Sequence, residues 1–251
     1  MLEITEIFGP TIQGEGKKLG SPSIFIRFGK CNLSCKGFEV EYTTPSGEKK
    51  YSCDSYYAAD SQFKEYWTKY ENFEEIINEV KKFEPKNYKP DIVITGGEPL
   101  LYWRDDEFQK LLEYYINNFY NVTIETNATI NIDINKEYQK KILFSMSVKL
   151  SNSAESLKKR VNPKALTNII QNIDDKYLKF VLSKECIDTS KDEIESILKQ
   201  IPHVNVYLMP MGDTIETLNL NSESVIDFAV QNGYLYSDRL HIRIWNDKRG
   251  V

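Results

Sequence analysis

Cys31, Cys35 and Cys53 are three of only four cysteines in a chain of 251 residues, and they sit close together near its N-terminal end. Such clustering suits metal binding or redox chemistry before it suits disulfides. Three thiolates can ligate three irons of a [4Fe–4S] cube and leave the fourth iron open, and thiolate is the soft donor that such clusters require. A structural zinc is the competing reading, its tetrahedral shell completed by Cys186 or a histidine. Zinc ribbons usually carry two close cysteine pairs, whereas here three residues separate Cys31 from Cys35 and a second close pair is absent. Only two histidines occur, His203 and His241, which excludes a histidine-rich metal site. Arg27 lies between Ile26 and Phe28. An unpaired cation there would be costly, so it needs a carboxylate partner, from a substrate or from a neighbouring acid.

The elements that must position these residues alternate between strand and helix. Apolar runs of strand length occupy residues 23–28, 91–95, 122–126, 142–148, 177–182 and 204–208, and a last strand is predicted over 240–245. Phe73, Ile76, Ile77, Val80 and Phe83 share one helical face behind an Asn72/Glu75 capping box. Phe108, Leu111, Leu112 and Tyr115 repeat the stripe after Asp105-Asp106, Asn162-Pro163 has the N-cap and first-position signature of another helix, and further stripes are Ile194, Ile197, Leu198 and Ile201, and Val225, Phe228 and Ala229 before Gly233. Repeated strand–helix units imply a parallel sheet with its functional loops at the C-terminal strand ends. Six or seven strands are too few to close an eight-stranded barrel. The expected fold is therefore α/β: a partial, open barrel of about six parallel strands, in one domain over 1–251.

The segment between Cys35 and Cys53 breaks that rhythm. Residues 39–43 and 48–52 flank Thr44-Pro45-Ser46-Gly47, whose proline and glycine suit a type I turn. A β-hairpin inserted within 36–52 is predicted, and because hairpin ends meet, it returns Cys53 to the side of Cys35.

Cys31-Asn32-Leu33-Ser34-Cys35 after one strand, Thr95-Gly96-Gly97-Glu98-Pro99 after the next and Glu125-Thr126-Asn127 after a third resemble the radical S-adenosylmethionine (SAM) superfamily. The resemblance implies that Cys31, Cys35 and Cys53 hold the cluster, whose open iron binds SAM. It implies that Gly96, Gly97 and Glu98 meet the amino end of SAM, the glycine pair letting backbone approach the ligand. Glu125, Ser147 and Lys149 correspond to positions that meet its ribose and carboxylate, and Ser52 and Asp54, flanking Cys53, are assigned to it as well.

The sequence Phe8-Gly9-Pro10-Thr11-Ile12-Gln13-Gly14-Glu15-Gly16 narrows the likeness, together with Arg27, Cys53-Asp54-Ser55, Arg239-Leu240-His241 and the terminal Lys248-Arg249-Gly250-Val251. These resemble the 7-carboxy-7-deazaguanine synthase family over essentially the whole chain. Most members place the third cysteine two residues after the second; the hairpin insertion departs from that pattern. The resemblance implies conversion of 6-carboxy-5,6,7,8-tetrahydropterin to 7-carboxy-7-deazaguanine with release of ammonia, in 7-deazapurine (queuosine-type) biosynthesis. It assigns Ile12, Gln13, Gly14, Glu15, Arg27, Thr95, His241 and the carboxylate of Val251 to the substrate, and Ser55 to Mg²⁺. It also implies a reductant such as flavodoxin or ferredoxin, and a homodimer.

Composition bounds the alternatives. The formal net charge is −5, and 41% of residues are hydrophobic. The acidic balance argues against a broad nucleic-acid surface, because phosphate neutralisation needs clustered Lys and Arg. No apolar run is long enough to span a bilayer, and the alternating, acidic N-terminus does not read as a targeting segment, so a cytoplasmic protein is expected. Two rival functions remain: a radical SAM activase that installs a glycyl radical on a partner protein, and a non-catalytic zinc-stabilised module.

Overall fold

The structure is a computed structural model and describes all 251 residues. The strands are β1 (Leu2–Ile12), β2 (Pro22–Phe28), β3 (Val40–Thr43), β4 (Lys49–Ser52), β5 (Thr68–Tyr70), β6 (Asp91–Gly96), β7 (Val122–Thr126), β8 (Leu143–Ser147), β9 (Lys176–Leu182), β10 (Val206–Pro210) and β11 (Leu235–Tyr236). The helices are α1 (Tyr56–Ala59), α2 (Phe73–Lys81), α3 (Asp106–Asn117), α4 (Glu137–Lys140), α5 (Leu157–Arg160), α6 (Pro163–Asn172), α7 (Ile187–Leu198), α8 (Ile215–Asn232) and α9 (Leu240–Trp245).

Nine strands form one sheet in the order β11-β10-β9-β8-β7-β6-β2-β1-β5. All neighbours from β2 to β11 are parallel, while β1 and β5 extend the sheet antiparallel. The outer strands β11 and β5 do not pair with each other, so the barrel stays open as expected.

Each central strand alternates with period two, and this sorts the sheet into two chemically different faces. Ile24, Ile26 and Phe28, Ile92 and Ile94, Val122 and Ile124, Phe144 and Met146, and Leu178 and Phe180 are all buried in the main apolar core. The stripes of α2, α3, α6, α7 and α8 pack into that core too, through residues such as Ile76, Leu111, Ile169, Ile194 and Val225. Burying each such side chain contributes about 1.5–3 kcal/mol. The opposite parity carries Arg27, Thr95, Glu125, Ser145 and Lys179. One face builds the core, and the other carries these polar groups among Phe25, Val93, Leu143 and Tyr177.

Helix ends follow their caps. The Asn72 side chain accepts from the Glu75 N–H (3.1 Å), but the Glu75 carboxylate reaches back to the Glu71 N–H (3.2 Å), so only half of the expected capping box forms. Asn162 caps α6 with Pro163 at its first position, and Gly233, at φ +70°, ends α8 in the left-handed conformation.

Three expectations need correction. Residues 240–245 form helix α9, not a strand. Leu240, Ile242 and Ile244 fit a two-residue period, but only Ile242 is buried, and short apolar runs do not separate strand from helix by period alone. The long N-terminal strand β1 and the short β5 and β11 are additional to the predicted set. The strand expected at 204–208 forms two residues later, at Val206–Pro210. The hairpin is as expected: β3 pairs antiparallel with β4, Val40 opposite Ser52, with the Gly47 N–H closing the turn onto the Thr44 carbonyl (2.9 Å).

Candidate active site

Cys31 and Cys35 lie in the loop that leaves β2, at the C-terminal edge of the parallel sheet, and Cys53 directly follows β4. The hairpin therefore does return it. The three thiols are close enough that Cys53 and Cys35 each raise the pKa of Cys31. Burial, aided by Glu98, pushes the Cys31 thiol up to about 12; burial also pushes Cys35 to about 12, although Lys149 opposes it. Such thiols are not free nucleophiles. They become thiolates when a metal replaces the proton. No three His, Cys, Asp or Glu side chains converge tightly enough to share one ion, which is what a tetrahedral zinc would need. Three soft donors, two on the loop after β2 and one directly after β4, suit separate irons of one cluster instead. Cys186 stands apart, its Sγ hydrogen-bonded at Ser183.

Other side chains brace this loop. The Ser52 hydroxyl donates to the Ser34 carbonyl (2.6 Å), tying the residue before Cys53 to the one before Cys35. The Asn127 amide donates to the Asn32 side chain (2.9 Å). The Lys149 ammonium donates to the Ser147 hydroxyl (2.8 Å). Glu98, fully buried, accepts from the Leu100 N–H, the Thr126 hydroxyl and the Asn127 N–H, joining the ends of β6 and β7.

The glycines also have a reason within the chain to be small. A Cβ on Gly96 would stand 2.1 Å from the Phe28 carbonyl oxygen, and one on Gly97 would stand 2.1 Å from that of Lys30. Their absent side chains make room for the backbone of the cysteine-bearing segment. Gly96 also has φ +139°. Gly96→Ala is expected to cost about 2–3 kcal/mol, from strain and from backbone that cannot yield. A thermal melt should fall by about 5–10 °C; a melt matching the parent would show that the loop yields after all.

The polar face of the sheet holds a connected network beside the thiols. Glu125 accepts from the Thr95 hydroxyl (2.8 Å) and the Gln13 amide (3.1 Å), and the Gln13 carbonyl oxygen accepts from the Glu15 N–H (3.2 Å). Glu15 is paired with Lys179 and with Arg239 (3.1 Å), and Arg239 reaches Asp54 (2.6 Å), the neighbour of Cys53. Burial alone would raise the Glu15 carboxyl, but Lys179 and Arg239 outweigh it and hold it well below the usual carboxylate range. Burial lowers the His241 pKa, which favours the neutral imidazole. Gly14 is required here, because its Cβ would lie 1.8 Å from His241 Nδ1.

Arg27 finds its carboxylate in Glu6, the residue opposite it on β1: Nε donates to Glu6 Oε1 (2.7 Å) and Nη1 to the Ser55 hydroxyl (3.1 Å). The neighbouring-acid reading is the one realised within the chain. Ile12 ends β1 opposite Pro22. Val251 is half-buried, and its carboxylate makes no ion pair with these groups. Sequence reasoning missed Lys179, Glu6 and, as a site residue, Arg239. Lys179 had a legible signal, since it shares parity with Tyr177 and is opposite in parity to buried Leu178 and Phe180.

The chain matches the model of the radical SAM superfamily over residues 26–219. It is 32% identical to the 7-carboxy-7-deazaguanine synthase of Halobacterium salinarum, over 98% of this chain and 91% of the relative. It is 26% identical to that of Bacillus subtilis, over 100% of this chain and 98% of the relative. Its fold is similar to the crystal structure of QueE from Escherichia coli (TM-score 0.62, 20% identity, covering 96% of this chain and 94% of that one). With three thiols at the edge of an open parallel sheet and relatives matched end to end, the chain belongs to the radical SAM superfamily and, within it, to the 7-carboxy-7-deazaguanine synthase family.

Proposed function

We propose that this chain converts 6-carboxy-5,6,7,8-tetrahydropterin to 7-carboxy-7-deazaguanine with loss of ammonia, in 7-deazapurine (queuosine-type) biosynthesis. One observation carries the reading: an unbroken run of contacts from the cysteine loop to the polar face of the sheet. Asp54 beside Cys53 holds Arg239, Arg239 and Lys179 hold Glu15, and Gln13 links Glu15 to Glu125 and so to Thr95. A pterin's aminopyrimidinone edge offers N–H donors and a carbonyl acceptor, which carboxylate, amide and hydroxyl groups in fixed positions can satisfy. A site built on such bonds rejects an analogue lacking one by about 10⁴-fold.

The cluster and SAM, when bound, supply the radical chemistry. The chain's own residues place the substrate and exclude water. Glu15 and Glu125, held as acceptors, suit the N–H donors; Gln13, Thr95 and the backbone at Ile12 and Gly14 suit the rest of that edge. Arg27, already neutralised on one side by Glu6, and His241, neutral through burial, suit the substrate carboxylate and ring. Gly96, Gly97, Glu98, Glu125, Ser147 and Lys149, with Ser52 and Asp54, are assigned to SAM. Ser55, whose hydroxyl also donates to Asp54 (3.3 Å), is assigned to Mg²⁺, which keeps waters and borrows substrate oxygens. The assignment extends to one domain over 1–251, a homodimer, a flavodoxin- or ferredoxin-type reductant and a cytoplasmic setting. No helix is long and apolar enough to cross a membrane.

The test is anaerobic reconstitution with iron and sulfide, incubation with the carboxypterin, SAM and a reductant, and mass analysis of the product. A product lighter by one ammonia is expected, with turnover reduced by a chelator for Mg²⁺ and restored by added Mg²⁺. Unchanged pterin from protein holding a reducible cluster would overturn the assignment.

A further inference from the structure

The cysteine loop is gripped by a carboxylate that the assigned reaction does not use. Glu155 Oε1 accepts three hydrogen bonds: from the Ser34 N–H (2.6 Å), the Ser34 hydroxyl (2.8 Å) and the Cys35 N–H (3.2 Å). On the other side the Ser34 carbonyl is held by Ser52. All the polar groups of Ser34 are thereby fixed, and through it the residues that precede Cys35 and Cys53. Glu155 is itself placed by a buried arginine. Arg160 donates from Nε to the Glu155 carbonyl (3.1 Å) and from Nη1 to the Lys149 carbonyl (3.0 Å), and it is paired with Glu193, which in turn accepts from Ser151. The turn at Ser151–Ser153 packs so closely on the segment after Cys35 that a Cβ on Gly37 would meet the Asn152 carbonyl oxygen at 2.1 Å.

From this arrangement we infer that Glu155 is a positioning residue with two effects on the cluster assigned above. It preorganises the ligand loop by occupying donors that would otherwise be free, and it sets a negative charge beside Cys35. Three charge-assisted bonds to one oxygen fix the loop more firmly than neutral acceptors would. Backbone N–H groups near a cluster otherwise turn to its sulfurs and make reduction easier, so occupying two of them holds the potential low. The negative charge acts in the same direction, because reduction adds an electron.

This inference rests on the cluster reading of Cys31, Cys35 and Cys53. The test compares the reconstituted full chain with Glu155→Gln and Glu155→Ala. Two readouts are taken: the rate at which an iron chelator strips the cluster, and the midpoint potential from a redox titration followed by electron paramagnetic resonance. Glu155→Gln keeps an acceptor and loses the charge. Its reduction equilibrium is expected to shift about tenfold toward the reduced form, ~59 mV for one electron. Glu155→Ala frees the loop, and iron loss is expected to be about 10–100-fold faster, the range typical of residues that support metal ligands. Ser34→Ala, which removes one of the three donors, should lose iron at an intermediate rate and guards against a misfolded Glu155→Ala. Parent-like potential and iron loss in both Glu155 variants would overturn the inference. A parent chain that takes up no iron–sulfur cluster would instead overturn the reading on which it rests.

Discussion

Cys31→Ala is expected to leave the fold intact while removing both the cluster and turnover. Within the protein Cys31 Sγ makes only long contacts, to the Leu33 N–H (3.4 Å) and the Asn127 amide (4.0 Å), so truncation costs the fold little. Its thiol is one of three, and two thiolates cannot retain a cube that already leaves one iron without a protein ligand. Iron and sulfide after anaerobic reconstitution should fall to background, product should be undetectable, and the melting temperature of the cluster-free chain should match the parent's within a few degrees. Cys186→Ala should keep both cluster and activity, because that thiol is occupied at Ser183 and Asn152. Full cluster iron in Cys31→Ala would remove the basis for the three-thiol assignment.

Lys179→Met is the second large effect, expected on stability. Lys179 and Glu15 are both largely buried and paired, with Arg239 as the second cation on Glu15. Removing one partner of a buried pair leaves a carboxylate under-compensated, at a cost of about 3–5 kcal/mol; Arg239 should keep the loss at the lower end. Glu15 titrates below its ordinary 4.5 in the folded chain, so its contribution is complete above that pH and is lost as pH falls through the lowered folded value. Lys179 is raised above its ordinary 10.5, burial opposing and Glu15 and Glu125 favouring the charge, so its contribution is complete below that pH and is lost on the alkaline side. The gap between parent and Lys179→Met should therefore be widest between about pH 4.5 and pH 10.5. Urea unfolding at pH 7 and at pH 2, well below the ordinary 4.5 of Glu15, measures it. The double variant Glu15→Gln, Lys179→Met should recover part of the loss, since it strands no charge. A gap as wide at pH 2 as at pH 7, or no gap at pH 7, would mean that the pair does not hold this face of the sheet.

Much of this protein was legible from residue order alone. The short apolar runs at residues 91–95, 122–126 and 177–182, set between helical patterns, specify strands, because a buried parallel sheet needs short apolar segments. The caps at Asn72 and Asn162 mark helix starts because the first N–H groups of a helix need acceptors. The turn Thr44-Pro45-Ser46-Gly47 forces a reversal, so the return of Cys53 to Cys35 followed from local chemistry. Residue type also settled that the metal chemistry must be thiolate chemistry, since two histidines cannot build a histidine site. What the sequence could not decide depends on groups brought together from far along the chain. Arg27 meets Glu6 only because β1 runs antiparallel to β2 in one register, and Glu15 meets Lys179 and Arg239 only because β9 and α9 converge on the end of β1. Residues 240–245 become a helix through such contacts, with the Leu240 N–H bound to the Gly14 carbonyl (2.8 Å). The glycines at 96 and 97 must be small for the sake of the neighbouring strand and loop, which only the folded chain brings against them. Periodicity and capping act over a few residues and can be read in order; ion pairing and close packing act through space, and only the folded chain sets those distances.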